Sequence, residues 1–479
     1  MKLSFVNQPW TVAAPPKGSD STGIWSYQVS LYLSKHNEIV YYGCEDALSS
    51  NNKFERSFYE VNASPVLLRR GTVDQRSEQA PSIAGAIRLR GAKSAASRLH
   101  GGVISDSNHQ IEYRAISPKL DSLLKIPWKI ASKLSLNVKL PYFGSAWFNF
   151  GYSWQIAEDI ARSNCDIIHI HNFSQFVPII RVRNRSAKII LHLHCEWVNR
   201  LNRDAIAPRL AKTDLIISCS DYVTNKIKHR FPEYAGICRT VNNGVDANYF
   251  VPSSGNLTQQ DRNIQILFVG RISPEKGIHD LVEAFSKITE EYPQAELIIA
   301  GPHIVVEKEF LFDLQHEPEV QALKPFYSLN YLEYIKSKIP SHLTSQVIFT
   351  GSLPQQELLP YYQKADVVIN PSLSEAFGMS LVEAMATQTP VVATAIGGMP
   401  EIVDDGVTGL LTEPGNPQAL ADAIVELISN PNRARAMGIA GRRKVLRYYC
   451  WSKIAESLVD TYADIGVNFE PNVLETAVA

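Results

Sequence analysis

The stretch Ala365–Glu383, ADVVINPSLSEAFGMSLVE, reads as a short buried strand, a turn, and the opening of a helix. Ala365–Ser372 is apolar and β-branched, as a parallel strand requires, and a helix is predicted over about Met379–Gln388. An open α/β sheet binds its ligand at the carboxyl ends of its strands. A helix N-terminus at that edge offers free N–H groups and partial positive charge, which suits phosphate. Glu375 falls in the turn, and Glu383 follows eight positions later, back on roughly the same side at 3.6 residues per turn. Carboxylates beside a phosphate site accept hydrogen bonds from hydroxyls such as those of a sugar or a ribose. The E-x7-E spacing alone is weak and usually marks two solvated acids flanking a core helix. Its surroundings give it weight.

Short apolar runs alternate with amphipathic helical patterns on both sides of this stretch. The runs are Leu3–Val6, Glu38–Tyr42, Asp166–His171, Lys188–His194 and Leu215–Ser220 in one half. In the other half they are Ile264–Gly270, Glu296–Gly301, Gln346–Gly351, Ala365–Ser372 and Pro390–Ile396. Strand–helix alternation of this kind is doubly wound α/β. It occurs twice, with the polar stretch Val251–Asn263 reading as a linker. The predicted units are 1–255, 256–448 and a closing segment 449–479; the last helices, about Asn432–Tyr448 and Trp451–Ile465, follow the second sheet.

Three insertions interrupt the pattern. Arg69–Arg98 carries seven Arg/Lys against two acids and reads as a loop. Lys119–Lys139 carries five lysines and one acid among apolar residues. That segment is either a helix lying on an anionic membrane surface or a basic amphipathic helix packed on its own domain. The third insertion, 303–324, extends a loop after a strand and has no assigned role.

With 479 residues the chain has room for two or three domains. Its 45% hydrophobic and 20% charged content is that of a globular protein, and a net charge of -1 gives no nucleic-acid signature. Six cysteines lie scattered without a C-x-x-C, which points to a reducing compartment and away from a zinc site. The N-terminus turns polar too early for a signal peptide, and no apolar run is long enough to span a bilayer. A cytoplasmic location is expected, with a peripheral membrane contact through 119–139 as the open alternative.

The sheet edge collects further chemistry. Gly270-Arg271-Ile272-Ser273-Pro274-Glu275-Lys276-Gly277 follows the first strand of the second half. Gly270 permits a tight turn, and Arg271 and Lys276 place two cations where a diphosphate would lie. Gly397–Glu401 follows another strand, with a glycine pair that allows close backbone approach. Gly351-Ser352-Leu353 ends a third, and its backbone is placed to line a base pocket. In the first half, Gly18–Gly23 precedes a helix predicted from about Ile24 and lacks G-x-G-x-x-G, so an NAD site is unsupported. His169 and His171 share one side of their strand, as do His192 and His194 of the next. They read as satisfied structural histidines or, for His171 and His194 near the strand ends, as partners of substrate hydroxyls. No D-x-D occurs to hold a divalent ion on a diphosphate, and no metal or other cofactor is expected.

Taken in order, Asn243-Gly244-Val245-Asp246, Gly270–Lys276, Glu375–Glu383 and Gly397–Glu401 resemble the retaining glycosyltransferases of family 4, which have the GT-B fold of two Rossmann-like domains facing a cleft. The resemblance covers about Asp166–Asp464. It implies a metal-independent hexosyltransferase acting on a nucleotide sugar and a hydroxyl acceptor. Arg271 and Lys276 would bind the diphosphate, and Glu375 the sugar hydroxyls. Phe377, Gly378, Met379, Ser380 and Leu381 would surround sugar and phosphate with backbone N–H groups, and Glu383 would hold the ribose. Gly23 would approach the diphosphate from the first domain, and His194 or His171 would face the sugar. The acceptor would lie mainly on the first domain, and the final helix would cross back to it. An alternative from another class is a GT-B scaffold that binds nucleotide sugar or polysaccharide without turnover. A phosphorylase would need a lysine for pyridoxal phosphate, and Lys276 is taken.

Overall fold

A computed structural model describes residues 1–11, 21–44, 100–106, 111–124, 142–253, 263–305 and 318–467. The loop at 69–98, the tail beyond 467 and most of the linker lie outside these residues, as does the larger part of the 119–139 and 303–324 segments.

Among the described residues fourteen strands form two sheets. The first contains β1 (Lys2–Val6), β2 (Glu38–Cys44), β3 (His100–Asp106), β4 (Ile111–Ile116), β5 (Ile167–His171), β6 (Lys188–Leu193), β7 (Leu215–Ser218) and β8 (Cys238–Thr240). Their order is β3-β4-β2-β1-β5-β6-β7-β8. β3 runs antiparallel to β4, and every other pairing is parallel. The second sheet contains β9 (Gln265–Val269), β10 (Glu296–Ala300), β11 (Val347–Gly351), β12 (Val367–Asn370), β13 (Val391–Thr394) and β14 (Leu410–Thr412). Its order is β11-β10-β9-β12-β13-β14, all parallel. This is the two-sheet GT-B arrangement.

The central strands are buried on both faces, which is why they read as unbroken apolar runs. The helix Ile278–Glu291 buries Ile278, Leu281, Val282, Phe285 and Ile288, at i, i+3, i+4 spacing, against the second sheet. One core cluster runs through both halves, joining Val6, Ile170 and Leu191 to Phe377, Leu381 and Met399. The helix Trp451–Ala463 follows the long helix Pro431–Tyr448 and packs Trp451, Ile454, Leu458 and Tyr462 against Leu3, Phe5, Trp25 and Val29. Val245 and Cys450 form a parallel bridge at the start of this return.

Four strands escaped the sequence pattern. β8 and β14 are three residues each, too short for periodicity to register. β4 mixes Glu112 and Arg114 into its run, and β3 opens His-Gly-Gly. Residues 119–124 are helical and dock on the first domain. The buried Asp121 carboxylate accepts the backbone N–H groups of Gly151 at 2.7 Å and Tyr152 at 2.8 Å, capping the helix Phe150–Ser163. Among the described residues no helix is long and apolar enough to cross a membrane.

Candidate active site

Two loops at the carboxyl edge of the second sheet are pressed together by glycine. Gly277 has φ +64, and a Cβ there would stand 2.0 Å from the Pro371 carbonyl oxygen. The Leu373 N–H donates to the Glu275 carbonyl at 2.8 Å. This contact sets Lys276, after β9, opposite Glu375, after β12: Nζ donates to Oε2 at 2.6 Å. The pair is largely buried, with side-chain exposures of 15% and 18%. Burial alone would raise the Glu375 carboxyl; Lys276, the Phe377 N–H and Arg271 outweigh it and hold the group below the usual carboxylate range.

Arg271 is a third exposed and is held from behind. Its Nη2 donates to Glu275 Oε1 at 2.9 Å, Ser273 Oγ donates to the same oxygen at 2.7 Å, and the Tyr327 hydroxyl donates to Oε2 at 2.9 Å. Glu275 is buried and fixes the guanidinium at the edge while leaving much of it open. Sequence reading quoted Glu275 only as part of the Gly270–Gly277 run. Its signal was the i, i+4 spacing from Arg271.

Glu383 sits differently from expectation. It lies in the helix Met379–Ala386, is 5% exposed, and spends both oxygens inside the domain. Oε1 accepts from Gln355 Nε2 at 2.7 Å and Oε2 from the Tyr362 hydroxyl at 2.6 Å. Burial raises its carboxyl, and these two bonds pull partly the other way. Each oxygen retains a second lone pair, so a ribose hydroxyl would share Glu383 with Gln355 or replace it.

The rest of the edge is backbone. Gly378, at φ +118, precedes the helix and leaves Met379 and Ser380 at its N-terminus, with Phe377 and Leu381 buried behind. Gly397, at φ +63, would place a Cβ 1.7 Å from the Glu375 carbonyl oxygen, and the Gly398 N–H donates to that oxygen at 3.2 Å. The glycine pair is therefore a backing plate for Glu375. Gly270 and Gly351 end their turns on the same edge, where the Gly270 N–H reaches the Ala300 carbonyl at 2.9 Å and the Gly301 N–H the Gly351 carbonyl at 2.9 Å. Leu353 packs partly buried beside them.

The first domain meets this loop directly. Ser220 Oγ donates to the Ala376 carbonyl at 2.7 Å, and Arg200 Nη2 reaches Ser374 Oγ at 3.5 Å. Glu401 caps the helix Asp221–Arg230 across the cleft, accepting from the N–H groups of Asp221 at 2.8 Å and Tyr222 at 2.6 Å. The nearby thiols are poor nucleophiles: burial pushes Cys195 up to about 12 and Cys219 higher still.

Gly23 is not in the turn before the first helix but in its opening turn, since that helix starts at Ser21. It is buried, and its carbonyl accepts from the Tyr41 hydroxyl at 3.3 Å. Residues 18–20 of its glycine-rich stretch lie outside the described residues. His171 is fully buried, with Nε2 bonded to Ser26 Oγ at 2.9 Å and Nδ1 to His194 Nε2 at 3.0 Å. Both of its ring nitrogens are thus engaged by protein partners. The His194 imidazole is partly open, and its Nδ1 stands 3.1 Å from the Asn243 amide. Burial drives it down to about 4, so the ring is neutral near pH 7. His169, His171 and His192 bring ring nitrogens within 4.8 Å of one another. Those of His169 bond to the Tyr462 hydroxyl at 2.6 Å and to His192 Nδ1 at 3.0 Å, so the grouping has hydrogen-bond partners of its own.

Residues 254–444 match the sequence model of glycosyl transferases group 1, and residues 113–249 that of glycosyltransferase family 4. Spore coat protein SA of Bacillus subtilis (strain 168) is 26% identical over 329 residues, 65% of this chain and 81% of that protein. The D-inositol 3-phosphate glycosyltransferase of Corynebacterium urealyticum is 30% identical over 263 residues, 53% of this chain and 57% of that enzyme. Among solved structures, sucrose-phosphate synthase from Thermosynechococcus elongatus superposes with a TM-score of 0.62 at 20% identity, covering 97% of this chain and 99% of that one. Anabaena HepE (Alr3699), solved with UDP and glucose, gives 0.61 at 17% identity, covering 97% and 99%. At these identities the likeness to solved structures is one of fold.

Proposed function

We propose, from the premise that the chain belongs to the group 1 glycosyltransferases and is a transferase enzyme, that it moves a hexosyl group from a nucleotide-diphosphate sugar to a hydroxyl acceptor with retention of configuration. The observation that carries the reading is the Lys276–Glu375 pair at 2.6 Å, with Arg271 anchored beside it at the mouth of a helix N-terminus. Breaking a sugar–phosphate bond leaves negative charge on the diphosphate and positive character on the sugar. Arg271, Lys276 and the N–H groups at Met379 and Ser380 meet the first charge, and the Glu375 carboxylate meets hydroxyls of the second. Fixed donors of this kind need no reorganisation as charge develops.

In this reading the acceptor hydroxyl attacks from the leaving-group face and a phosphate oxygen takes its proton. The acceptor lies on the first-domain side, where Arg200 and Ser220 meet the Glu375 loop. The complexes of HepE with UDP-glucose support a nucleotide sugar as the other substrate. The reaction needs no metal and takes place in the cytoplasm. The role of the basic segment 119–139 toward an anionic membrane, of which 125–139 lie outside the described residues, belongs to the same proposal.

A thermal-shift series with UDP-, GDP- and ADP-sugars, each with and without chelator, tests it. One nucleotide class should raise the melting temperature, because a ligand that binds only the folded state stabilises by mass action. The same nucleotide sugar should then be slowly hydrolysed without acceptor, chelated or not. Hydrolysis abolished by chelation and restored by a divalent ion would remove the metal-independent mechanism.

A further inference from the structure

The histidines at the ends of β5 and β6 form two hydrogen-bonded rows, and one row has a forced direction. It begins at Asn7, whose Nδ2 donates to the Tyr42 carbonyl at 3.1 Å. That bond fixes the amide, so Oδ1 faces Ser26 Oγ at 2.5 Å. The Thr22 carbonyl stands 3.0 Å from the same hydroxyl. Both neighbours only accept, and a serine hydroxyl has one proton. The proton is committed to that side, and Oγ turns a lone pair toward His171 Nε2 at 2.9 Å. His171 Nε2 therefore carries hydrogen. The ring is buried and neutral, so its Nδ1 is bare and accepts from His194 Nε2–H at 3.0 Å. His194 is neutral in turn, which leaves Nδ1 with its lone pair. The Asn243 amide, 3.1 Å away, then presents its NH2 end. Amide ends are assigned from such networks, and this row assigns Nδ2 of Asn243 to the position facing His194 Nδ1. Trp25 packs its ring against His171 and His194, at centroid distances of 5.4 and 5.9 Å, and shields the row.

We propose that Ser26 and His171 are positioning residues that lock His194 in its Nε2–H tautomer, so that its Nδ1 lone pair accepts a hydrogen bond from a hydroxyl of the transferred sugar. The hydroxyl displaces the Asn243 NH2, a donor of the same kind. The second half rests on the proposed reading that His194 faces the sugar, whereas the tautomer does not depend on it.

The experiment is long-range proton–nitrogen spectroscopy of the full chain with 15N-labelled imidazoles, the His194 signals being those lost in His194→Gln. In the unmutated protein His194 should show Nε2–H. Ser26→Ala removes the acceptor of His171 Nε2–H and should shift His194 toward Nδ1–H or a mixture. In the same variant kcat for transfer should fall about tenfold, the worth of one hydrogen bond, with KM for the nucleotide sugar unchanged. An Nδ1–H signal in the unmutated protein overturns the proposal even if the variant does not fold. So does an Nε2–H signal that Ser26→Ala leaves in place, or an unchanged kcat. A wild-type rate in His194→Gln overturns the contact with the sugar, while the spectra alone judge the tautomer.

Discussion

Lys276 and Arg271 differ in how they are held. Lys276 is paired with Glu375 in the loop after β12, whereas Arg271 is paired with the buried Glu275, which Ser273 and Tyr327 also hold. Lys276→Ala therefore removes two things: a cation for the leaving group, and the charge that keeps Glu375 ionised. Turnover should fall by roughly 10²-fold or more, as it does when a transition-state donor is lost. Burial then dominates the Glu375 carboxyl, so the acid limb of the pH–rate profile should move up as well. Steady-state kinetics across pH check both, and a variant with normal turnover would end the diphosphate assignment. The placement of Arg271, Lys276 and Glu375 in the loops after β9 and β12 was legible because strand, turn and helix signals put them on one sheet edge, whereas the buried setting of Glu383 was not. Its partners Gln355 and Tyr362 come from a helix 28 and 21 positions earlier, and no local pattern announces a buried carboxylate's donors.

At the scale of elements, glycines at strand ends set the site. Gly397→Ala combines a left-handed backbone with a Cβ 1.7 Å from the Glu375 carbonyl oxygen. It should cost about 1–3 kcal/mol in denaturant unfolding from backbone strain alone, and more from the clash, and turnover should drop because Glu375 is displaced. Gly406→Ala is the control. Its φ is +72, yet nothing lies within 4 Å of the added carbon. It should lose only the strain, the same ~1–3 kcal/mol, and keep its activity. Equal losses in the two variants would mean that the contact with Glu375 is unimportant. The sequence pattern located ten of these strand ends, because doubly buried strands are continuous apolar runs. It passed over β3, β4, β8 and β14, which lie toward the sheet edges, where strands are short or mixed in polarity.

At the scale of the molecule, four neutral imidazoles in the first domain make folding acid-sensitive. Burial lowers His169, His171 and His192 well below the ordinary histidine value and His194 to about 4. The unfolded chain takes up these protons near pH 6.5, while the folded chain refuses them until far lower. Their contribution to stability is thus complete above about pH 7 and is lost as pH falls toward 4. His194 alone should withdraw roughly 2 kcal/mol by pH 5, and the other three act in the same direction. Glu375, with its carboxyl lowered, loses its contribution only below about pH 4.5, so the two windows are separable. Urea midpoints measured from pH 7.5 to 5 should fall steeply. A flat profile would contradict a neutral cluster.

The helix Trp451–Ala463 gives the chain an unusual order of assembly. Leu3, Phe5 and Trp25 are synthesised long before Trp451–Tyr462, yet their hydrophobic cluster lacks one wall until that helix has been made. His169 likewise waits for the Tyr462 hydroxyl. The second sheet is assembled over a shorter span: its strands run from 265 to 412. On the ribosome the half that emerges first is therefore the half that finishes last. A chain stopped near residue 450 would keep the loops after β9 and β12 and lack the wall that closes the cluster of Leu3, Phe5 and Trp25.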